Sequence, residues 1–410
     1  MRILMVNKYH HVFSGGERYI NELTSLLERQ GHEVIPFAMA DPQNIPSPYA
    51  DYFVSPIEFF DGSHRPKPWV IAERVIYSRE SRSKMSRLIE AVKPDIAHVH
   101  NIYHYISPSI LDALRKSQIP VVMTLHDYKL LCPTYSLWVK GQICERCHGK
   151  HFYHCTLQRC NHGSLLTSAL NAVEAYVHRI IRIYDKVNLF ISPSQFLRCK
   201  HIEYGLSPHR IVHIPNFLNV DDYAPHFGHK DYFVYTGRLT PFKGIGVLLE
   251  AAAELRPSTP LLIAGDGPSR DELEKKSQQL GLKNVRFLGH LSGPSLRDLI
   301  AQAMFVVVPS TWYENCPYAI LEALASSTPV LAADIGGIPE LVDNGVNGLL
   351  VSSNNVDALA EGIEYLLKNA NTLPQMGKRG REHVEKAHNA SLHLAALSQA
   401  YALAGAPPLL

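Results

Sequence analysis

Short apolar runs alternate along the chain with longer segments in which apolar residues recur with helical period. The first unit shows the pattern. Arg2–Asn7 predicts a strand, a loop with Gly15-Gly16 follows, and Glu17–Arg29 carries its apolar residues on one face of a helix. Parallel sheets with helices on both faces have this order of elements. The sequence therefore predicts an α/β fold.

The same alternation continues to residue 367 and is interrupted by one polar stretch with Pro and His at about 219–230, which is typical of a linker. The strands predicted before the linker are Asp95–His100, Val121–Leu125, Leu189–Ser192 and Ile211–Ile214. The strands predicted after it are Tyr232–Thr236, Leu261–Ala264, Val285–Leu288, Phe305–Val308 and Val330–Ala333. We therefore expect two doubly wound, Rossmann-like domains, 1–219 and 220–387, and a C-terminal helix at about 388–405 that packs back on the first domain.

Two doubly wound domains joined by a linker leave a cleft between them, and ligands of such sheets bind beyond the carboxyl ends of the strands. Polar residues and glycines stand at those ends in both halves of the chain. They are Gly15-Gly16, His126-Asp127, Arg238, Gly265-Asp266-Gly267, Glu314 and Gly336-Gly337. This distribution predicts one ligand site in the cleft.

Arg238 and Lys243 are two cations, five positions apart, between a predicted strand and the helix that follows it. Such a pair suits a diphosphate, and a helix N-terminus adds backbone donors and a partial positive charge, so that an anion can be held without a metal. The alternative is that both are solvated loop cations.

Glu314 and Glu322 are separated by seven residues. In a continuous helix their backbones would lie about 12 Å apart, beyond the ~5–9.5 Å between the carboxyl groups of a glycosidase pair. We therefore expect them to hydrogen-bond two different hydroxyl-bearing groups of one extended ligand. Glu322 could instead be a solvated helix carboxylate, but its apolar neighbours predict a buried helix, where a carboxylate without a partner is costly.

Taken together, these residues resemble the family 4 glycosyltransferases of the GT-B fold. The resemblance rests on the Arg-x4-Lys and Glu-x7-Glu pairs and on the runs Ile263–Pro268 and Pro339–Gly348; in the first half it rests on Ser14–Glu17 and Thr124–Asp127. It implies two Rossmann-like domains facing across a cleft. It also implies a retaining transfer of a hexose or hexose derivative from a UDP- or GDP-sugar to a glycan or glycolipid acceptor, in the biosynthesis of surface polysaccharide or glycoconjugates.

The resemblance also assigns roles. Arg238 and Lys243 would neutralise the diphosphate, so that catalysis needs no cofactor. Glu314 would bind the donor sugar, Glu322 the ribose, and His126 the transferred sugar near its reacting carbon. The other donor contacts would come from Gly15, Gly16, Gly265, Asp266, Gly267, Cys316, Tyr318 and Ala319. His126 could instead be a structural histidine at a strand end. A GT-B nucleotide-sugar epimerase and a non-catalytic sugar-binding or zinc-organised scaffold are the alternatives for the whole protein.

A polar insertion at about 132–163 contains the pattern Cys144-x2-Cys147-x7-Cys155-x4-Cys160. Four thiolates this close in sequence can form a tetrahedral zinc site. The N-terminus shows no export signal, so we expect a reducing compartment, where thiols and metal ligands are favoured over disulfides. A structural zinc ion is therefore expected, with Cys132 as a possible substitute ligand. Reduced or redox-active thiols and an iron–sulfur cluster are the alternatives.

Charge and hydropathy exclude some partners. Lys and Arg number 40 against 38 Asp and Glu, a formal net charge of +2, which argues against nucleic acid. No apolar run approaches the ~20 residues of a membrane span, and we expect a cytoplasmic protein.

The segment Arg65–Lys93 is basic and amphipathic. It could rest on the inner face of a membrane, a position that would suit an enzyme whose acceptor is carried on a lipid. The alternative is a solvated helix face packed on the domain.

Overall fold

The computed structural model describes residues 1–11, 15–57, 67–255 and 259–409, and these contain two six-stranded parallel sheets and one small hairpin. The strands are β1 (Arg2–Val6), β2 (Glu33–Phe37), β3 (Ile96–Val99), β4 (Val121–Thr124), β5 (Trp138–Val139), β6 (Gln142–Ile143), β7 (Leu189–Ser192), β8 (Ile211–His213), β9 (Phe233–Thr236), β10 (Leu261–Ala264), β11 (Val285–Gly289), β12 (Val306–Val308), β13 (Val330–Asp334) and β14 (Gly348–Ser352). The predicted α/β class is confirmed.

Helices connect the strands and cover both faces of each sheet. They are α1 (Gly15–Arg29), α2 (Pro68–Ile76), α3 (Arg79–Val92), α4 (Ile110–Lys116), α5 (Tyr153–Leu157), α6 (Leu165–Ile180), α7 (Gln195–Glu203), α8 (Ile245–Glu254), α9 (Arg270–Gln279), α10 (Gly293–Ala301), α11 (Tyr318–Ala325), α12 (Val356–Lys368), α13 (Leu373–Ala387) and α14 (Ala390–Leu403). In α1 the spacing of Ile20, Leu23 and Leu27 places all three against the first sheet, where they are buried.

The strand order places the candidate site at the middle of each sheet. The first sheet runs β2-β1-β3-β4-β7-β8 and the second β11-β10-β9-β12-β13-β14, each strand parallel to its neighbours. In both sheets the first strand of the domain lies inside the sheet. The next strands in the chain are added on one side of it, and all later strands are added on its other side. The crevice at such a reversal is where doubly wound sheets bind ligands. In the second sheet it lies between β9 and β12, the strands that precede Arg238 and Glu314.

The last helix, α14, packs against the first sheet through apolar and polar contacts. Leu394 and Leu397 belong to the same buried cluster as Ile3 of β1. The hydroxyl of Tyr401 lies 2.8 Å from Nδ1 of His98 on β3. The C-terminus therefore adds a layer to the domain formed by the N-terminal half.

The basic segment of the first domain divides into two helices with different exposure; Arg65 lies outside the described residues. The apolar residues of α3, among them Met85 and Leu88, are buried in the core, so its basic side faces solvent. In α2, Trp69 remains 65% exposed. Within the described ranges no helix has the length and apolar character needed to cross a membrane.

Candidate active site

Lys243 and Glu314 meet at the crevice of the second sheet. Lys243 closes the short turn after β9, and its Nζ donates to Oε1 of Glu314 at 2.6 Å. Ser310, which follows β12, donates to the same oxygen at 2.6 Å. Burial alone would raise the pKa of Glu314, but the Lys243 ammonium and these hydrogen bonds outweigh it and lower the pKa. Glu314 is therefore a buried, ionised acceptor.

Arg238 lies at the same strand end as Lys243 but is exposed to solvent. Its guanidinium lies near the Tyr135 hydroxyl of the first domain, where it opposes the burial that raises the pKa of that hydroxyl to about 12. The turn after β9 thus carries two cations, an exposed one at Arg238 and a half-buried one at Lys243 that is paired with Glu314. This is the placement that an anion arriving from solvent requires.

Gly265 and Gly267 pack against backbone. A Cβ on Gly265 would come within 1.8 Å of the carbonyl oxygen of Gly237, and one on Gly267 within 2.4 Å of that of Leu239. These glycines let the loop after β10 lie directly on the turn that carries Arg238. The side chain of Asp266 accepts a hydrogen bond from the amide of Gly267 at 2.7 Å.

Glu322 projects from α11 and is 6% exposed. Its Oε1 accepts hydrogen bonds from Arg18 of α1 and from the hydroxyl of Tyr223, at 3.3 Å for the latter. Arg18 also donates to Tyr223 at 2.5 Å and to Glu22 at 2.9 Å. The carboxylate expected to bind a ribose is therefore paired with Arg18 of the opposite domain. The sequence pattern gives no indication of this arginine as a site residue.

The start of α1 lies between the two domains. A Cβ on Gly15 would lie 3.6 Å from the ring of Tyr318 in the second domain, and one on Gly16 would lie 3.7 Å from the ring of His126. Both positions are in ordinary contact range, so the helix N-terminus lies beside His126 and faces α11. Amides at such a helix start attract anions.

His126 follows β4 and is mostly buried. Its Nε2 is 3.0 Å from Nδ1 of His100, and burial lowers its pKa to about 4. The ring is therefore neutral at pH 7. It can give or accept one hydrogen bond, but it carries no charge with which to stabilise a phosphate.

Three contacts close this side of the cleft. Nδ2 of Asn315 donates to the carbonyl of His126 at 2.7 Å. The carboxylate of Glu340 accepts from the amides of Gln195 and Phe196, each at 2.7 Å, and so caps α7 across the domain boundary. No spacing in the sequence indicates that these residues are partners, because each pair is far apart along the chain.

The N-terminal end of α11 is formed by three residues predicted to bind the donor. Cys316 is buried, and its carbonyl accepts from Asn216 at 3.4 Å. The hydroxyl of Tyr318 donates to the carbonyl of Phe217 at 3.1 Å. Ala319 is the second residue of the helix. The structure therefore brings the start of α11 to the segment that follows β8 as well as to α1.

The cysteines of the insertion line one small cavity. Its wall is formed by Cys132, Thr134, Trp138, Val139, Cys144, Cys147, His154, Cys155 and Cys160, and its volume is about 10 Å³. All five cysteines are free thiols. Of the residues described, no group of three or more Cys, His, Asp and Glu side chains is placed to hold a metal ion as it stands. The four predicted ligands do share a site, and Cys132 and His154 share it with them.

The sequence matches two family models. Residues 13–222 match the family described as Glycosyltransferase Family 4, and residues 222–383 match Glycosyl transferases group 1. Since the first match alone spans more than half of the chain, the protein belongs to the group 1, family 4 glycosyltransferases.

Relatives of similar length support this assignment. An uncharacterized glycosyltransferase of Methanocaldococcus jannaschii is 27% identical over 390 residues, which are 90% of this chain and 89% of that protein. A glycogen synthase of Mycobacterium tuberculosis is 26% identical over 407 residues, 94% of this chain and 90% of that protein.

Solved structures share the fold. Sucrose-phosphate synthase of Thermosynechococcus elongatus superposes with a TM-score of 0.72 at 20% identity, covering 98% of both chains. Anabaena HepE, in complex with UDP and glucose, gives a TM-score of 0.69 at 18% identity and covers 97% of this chain and 99% of its own. The predicted GT-B fold is thereby confirmed.

Proposed function

We propose that the protein transfers a hexose, or a hexose derivative, from a UDP- or GDP-sugar to a glycan or glycolipid acceptor, with retention of configuration. The observation that carries this proposal is the pairing of Lys243 with buried Glu314, beside Arg238, at the switch point of the second sheet. The names of relatives point the same way, since they include a glycogen synthase and a D-inositol 3-phosphate glycosyltransferase. The second domain would bind the donor, and the first, with α14, the acceptor.

The chemical step needs a group that stabilises the departing nucleoside diphosphate. Arg238 and Lys243 would supply positive charge, and the N-terminus of α1, which faces α11, would add backbone amides. A divalent metal is not required to neutralise the charge in this arrangement. Glu314 would accept hydrogen bonds from the donor sugar. Glu322 would accept hydrogen bonds from the ribose after its hydrogen bond with Arg18 breaks.

Retention without an enzyme nucleophile is supported by the state of nearby carboxylates. Glu314 is engaged by Lys243 and Ser310, and Asp127 by the hydroxyl of Tyr103 and the amide of Lys129. The acceptor oxygen would then attack the anomeric carbon on the face from which the phosphate departs. The new carbon–oxygen bond forms as the sugar–phosphate bond breaks, and the acceptor proton passes to the leaving phosphate oxygen.

An exposed apolar stripe on α6 favours a lipid-linked acceptor at a membrane surface. Leu166, Val173 and Ile180, seven positions apart, are 81%, 49% and 77% exposed. The single acidic residue of α6, Glu174, is buried, whereas Arg179 beside the stripe is exposed. An apolar stripe with basic neighbours is complementary to an anionic lipid surface. This supports a protein that works at a membrane surface.

Vesicle sedimentation tests the surface. The protein should sediment with vesicles of phosphatidylglycerol and phosphatidylcholine and remain in solution with phosphatidylcholine alone. The double variant Leu166→Ser with Ile180→Ser should lose binding. Leu403→Ser, a similarly exposed leucine on α14, is the matched control and should keep it. Equal sedimentation of the two variants would contradict the surface assignment.

The function itself is tested by a donor screen. Purified protein, without added metal, is incubated with UDP-, GDP-, ADP-, dTDP- and CMP-sugars while binding and release of nucleotide are measured. One donor should bind and slowly release its nucleoside diphosphate. An epimerase would interconvert the sugar without releasing free diphosphate. No binding to any donor, with or without a divalent ion, would favour the scaffold alternative.

A further inference from the structure

The cysteine-lined insertion, residues 132–163, has little apolar core of its own. Its strands β5 and β6 have two residues each, and α5 has five. The buried cluster that joins it to α6 consists of Cys147, Phe152, Cys155 and Ala172. Segments this small are usually held folded by disulfides or by a metal. All the cysteines are free, so a metal is the cross-link to consider.

The insertion cysteines form a donor set suited to zinc. Cys147 and Cys155 are 7% and 1% exposed, and Cys144 and Cys160 are half-buried around the same cavity. Its volume of about 10 Å³ leaves room for about one water molecule. Because the thiols are not placed to hold an ion as they stand, ligation requires them to turn toward the shared cavity.

The insertion also touches the donor site. The ring of Trp138 packs edge-on against that of Phe242, with centroids 6.0 Å apart, and Phe242 precedes Lys243. Glu145, located between Cys144 and Cys147, accepts from the hydroxyl of Tyr313 at 2.9 Å, and Tyr313 precedes Glu314. The insertion thus contacts the residue before Lys243 and the residue before Glu314.

We propose that one zinc ion, bound by Cys144, Cys147, Cys155 and Cys160, folds the insertion into a bridge that positions Lys243 and Glu314 for the donor. On binding, four thiols release four protons to solvent and four zinc–sulfur bonds form, so no oxidant or reductant is needed. The resulting site carries a net charge of minus two. The zinc assignment does not depend on the proposed function, whereas the positioning role rests on it.

The first test measures the metal in the protein as purified under reducing conditions. Atomic emission should give about one zinc per chain, and titration of the thiols with a mercurial should release it. Cys147→Ser should lose the zinc and melt at a lower temperature, while Cys199→Ser, an exposed cysteine outside the cavity, should keep both unchanged. Cys132→Ser should retain the zinc. A protein without zinc, one with iron–sulfur absorbance near 400 nm, or one that loses zinc with Cys132→Ser would overturn the assignment.

The second test separates the bridge from the metal. Glu145→Gln should keep one zinc per chain but bind the nucleoside diphosphate several-fold more weakly, because its neutral side chain accepts a weaker hydrogen bond from Tyr313 and loses the ion pair with Lys200 of α7, at 2.9 Å. Glu361→Gln, an exposed carboxylate on α12, is the control. Unchanged affinity in Glu145→Gln would overturn the bridge. If the wild-type protein binds no nucleotide, the proposed function fails while the zinc content still decides the metal site.

Discussion

The guanidinium of Arg18, on α1, donates a hydrogen bond to the carboxylate of Glu322, on α11, across the boundary between the two domains. Glu322 is nearly inaccessible to solvent, whereas the side chain of Arg18 is 27% exposed. A buried carboxylate needs such a partner, because desolvation without one is costly. This contact satisfies the carboxylate and holds the two domains together.

Removal of this arginine should destabilise the fold. In Arg18→Ala the carboxylate of Glu322 keeps only the hydrogen bond from the hydroxyl of Tyr223, so we expect a loss of about 1–3 kcal/mol in the free energy of unfolding. The matched control is Arg379→Ala, which removes an exposed pair with Glu382 and should cost about 0.5 kcal/mol or less. Chemical denaturation of both variants measures the difference. An equal loss of unfolding free energy in both variants would show that the Arg18 contact stabilises the fold no more than an exposed ion pair does.

The same carboxylate should control nucleotide affinity. Because a charged acceptor strengthens each hydrogen bond from a hydroxyl, Glu322→Gln should weaken binding of the nucleoside diphosphate roughly tenfold or more. Arg18→Ala should bind it at least as tightly as the wild type, since the ribose no longer displaces an arginine. Isothermal titration calorimetry checks both. Tighter binding by Glu322→Gln, or strongly weaker binding by Arg18→Ala, would contradict a ribose site at Glu322.

Local pattern was enough to predict the fold and to place several candidate residues at one edge of the second sheet. The alternation of strands and helices follows from hydrophobic period, and Lys243 and Glu314 come together because each lies in the loop that follows a strand of the second sheet. Arg18 was missed because it lies 304 positions from Glu322, and nothing in its own neighbourhood indicates a distant partner.

Glycines and prolines show the limit of such reasoning in another way. Gly265 and Gly267 were predicted to contact the donor, and in the structure the adjacent backbone of Gly237 and Leu239 also leaves no room for a Cβ at either position. A proline that opens a helix is expected at the first helical position, whereas Pro317 lies one residue earlier, as the N-cap of α11. A proline has a φ angle suited to both positions, so sequence alone does not separate them.

The two cations of the donor site should differ in their effect on stability. Arg238→Ala should lower turnover about 100-fold or more, because it removes charge from the leaving diphosphate, and should leave the melting temperature unchanged, since the side chain is exposed. Lys243→Ala should lower turnover and also the melting temperature, because buried Glu314 loses its cation. Steady-state kinetics and thermal melting distinguish the two. Unchanged activity in Arg238→Ala would overturn the diphosphate assignment.

Buried histidines should make stability fall as the pH drops below about 6.5. Burial lowers the pKa of His126 and His393 to about 4 and that of His98 to about 3, compared with about 6.5 in an unfolded chain. Between these values the unfolded chain binds protons that the folded protein does not. The stabilising contribution is therefore complete above pH 6.5 and is lost as the pH falls toward 4, at up to ~1.4 kcal/mol per pH unit for each histidine.

The variant His393→Gln isolates one of these groups. Its amide can replace the ring in the hydrogen bonds to Tyr19 and to the carbonyl of Pro215, but it does not titrate. The free energy of unfolding of this variant should therefore decline less steeply between pH 6.5 and 4 than that of the wild type, whatever its value at pH 7. His209→Gln, an exposed histidine, should keep the wild-type slope. Identical slopes for all three proteins would show that His393 titrates in the folded state as it does in the unfolded one.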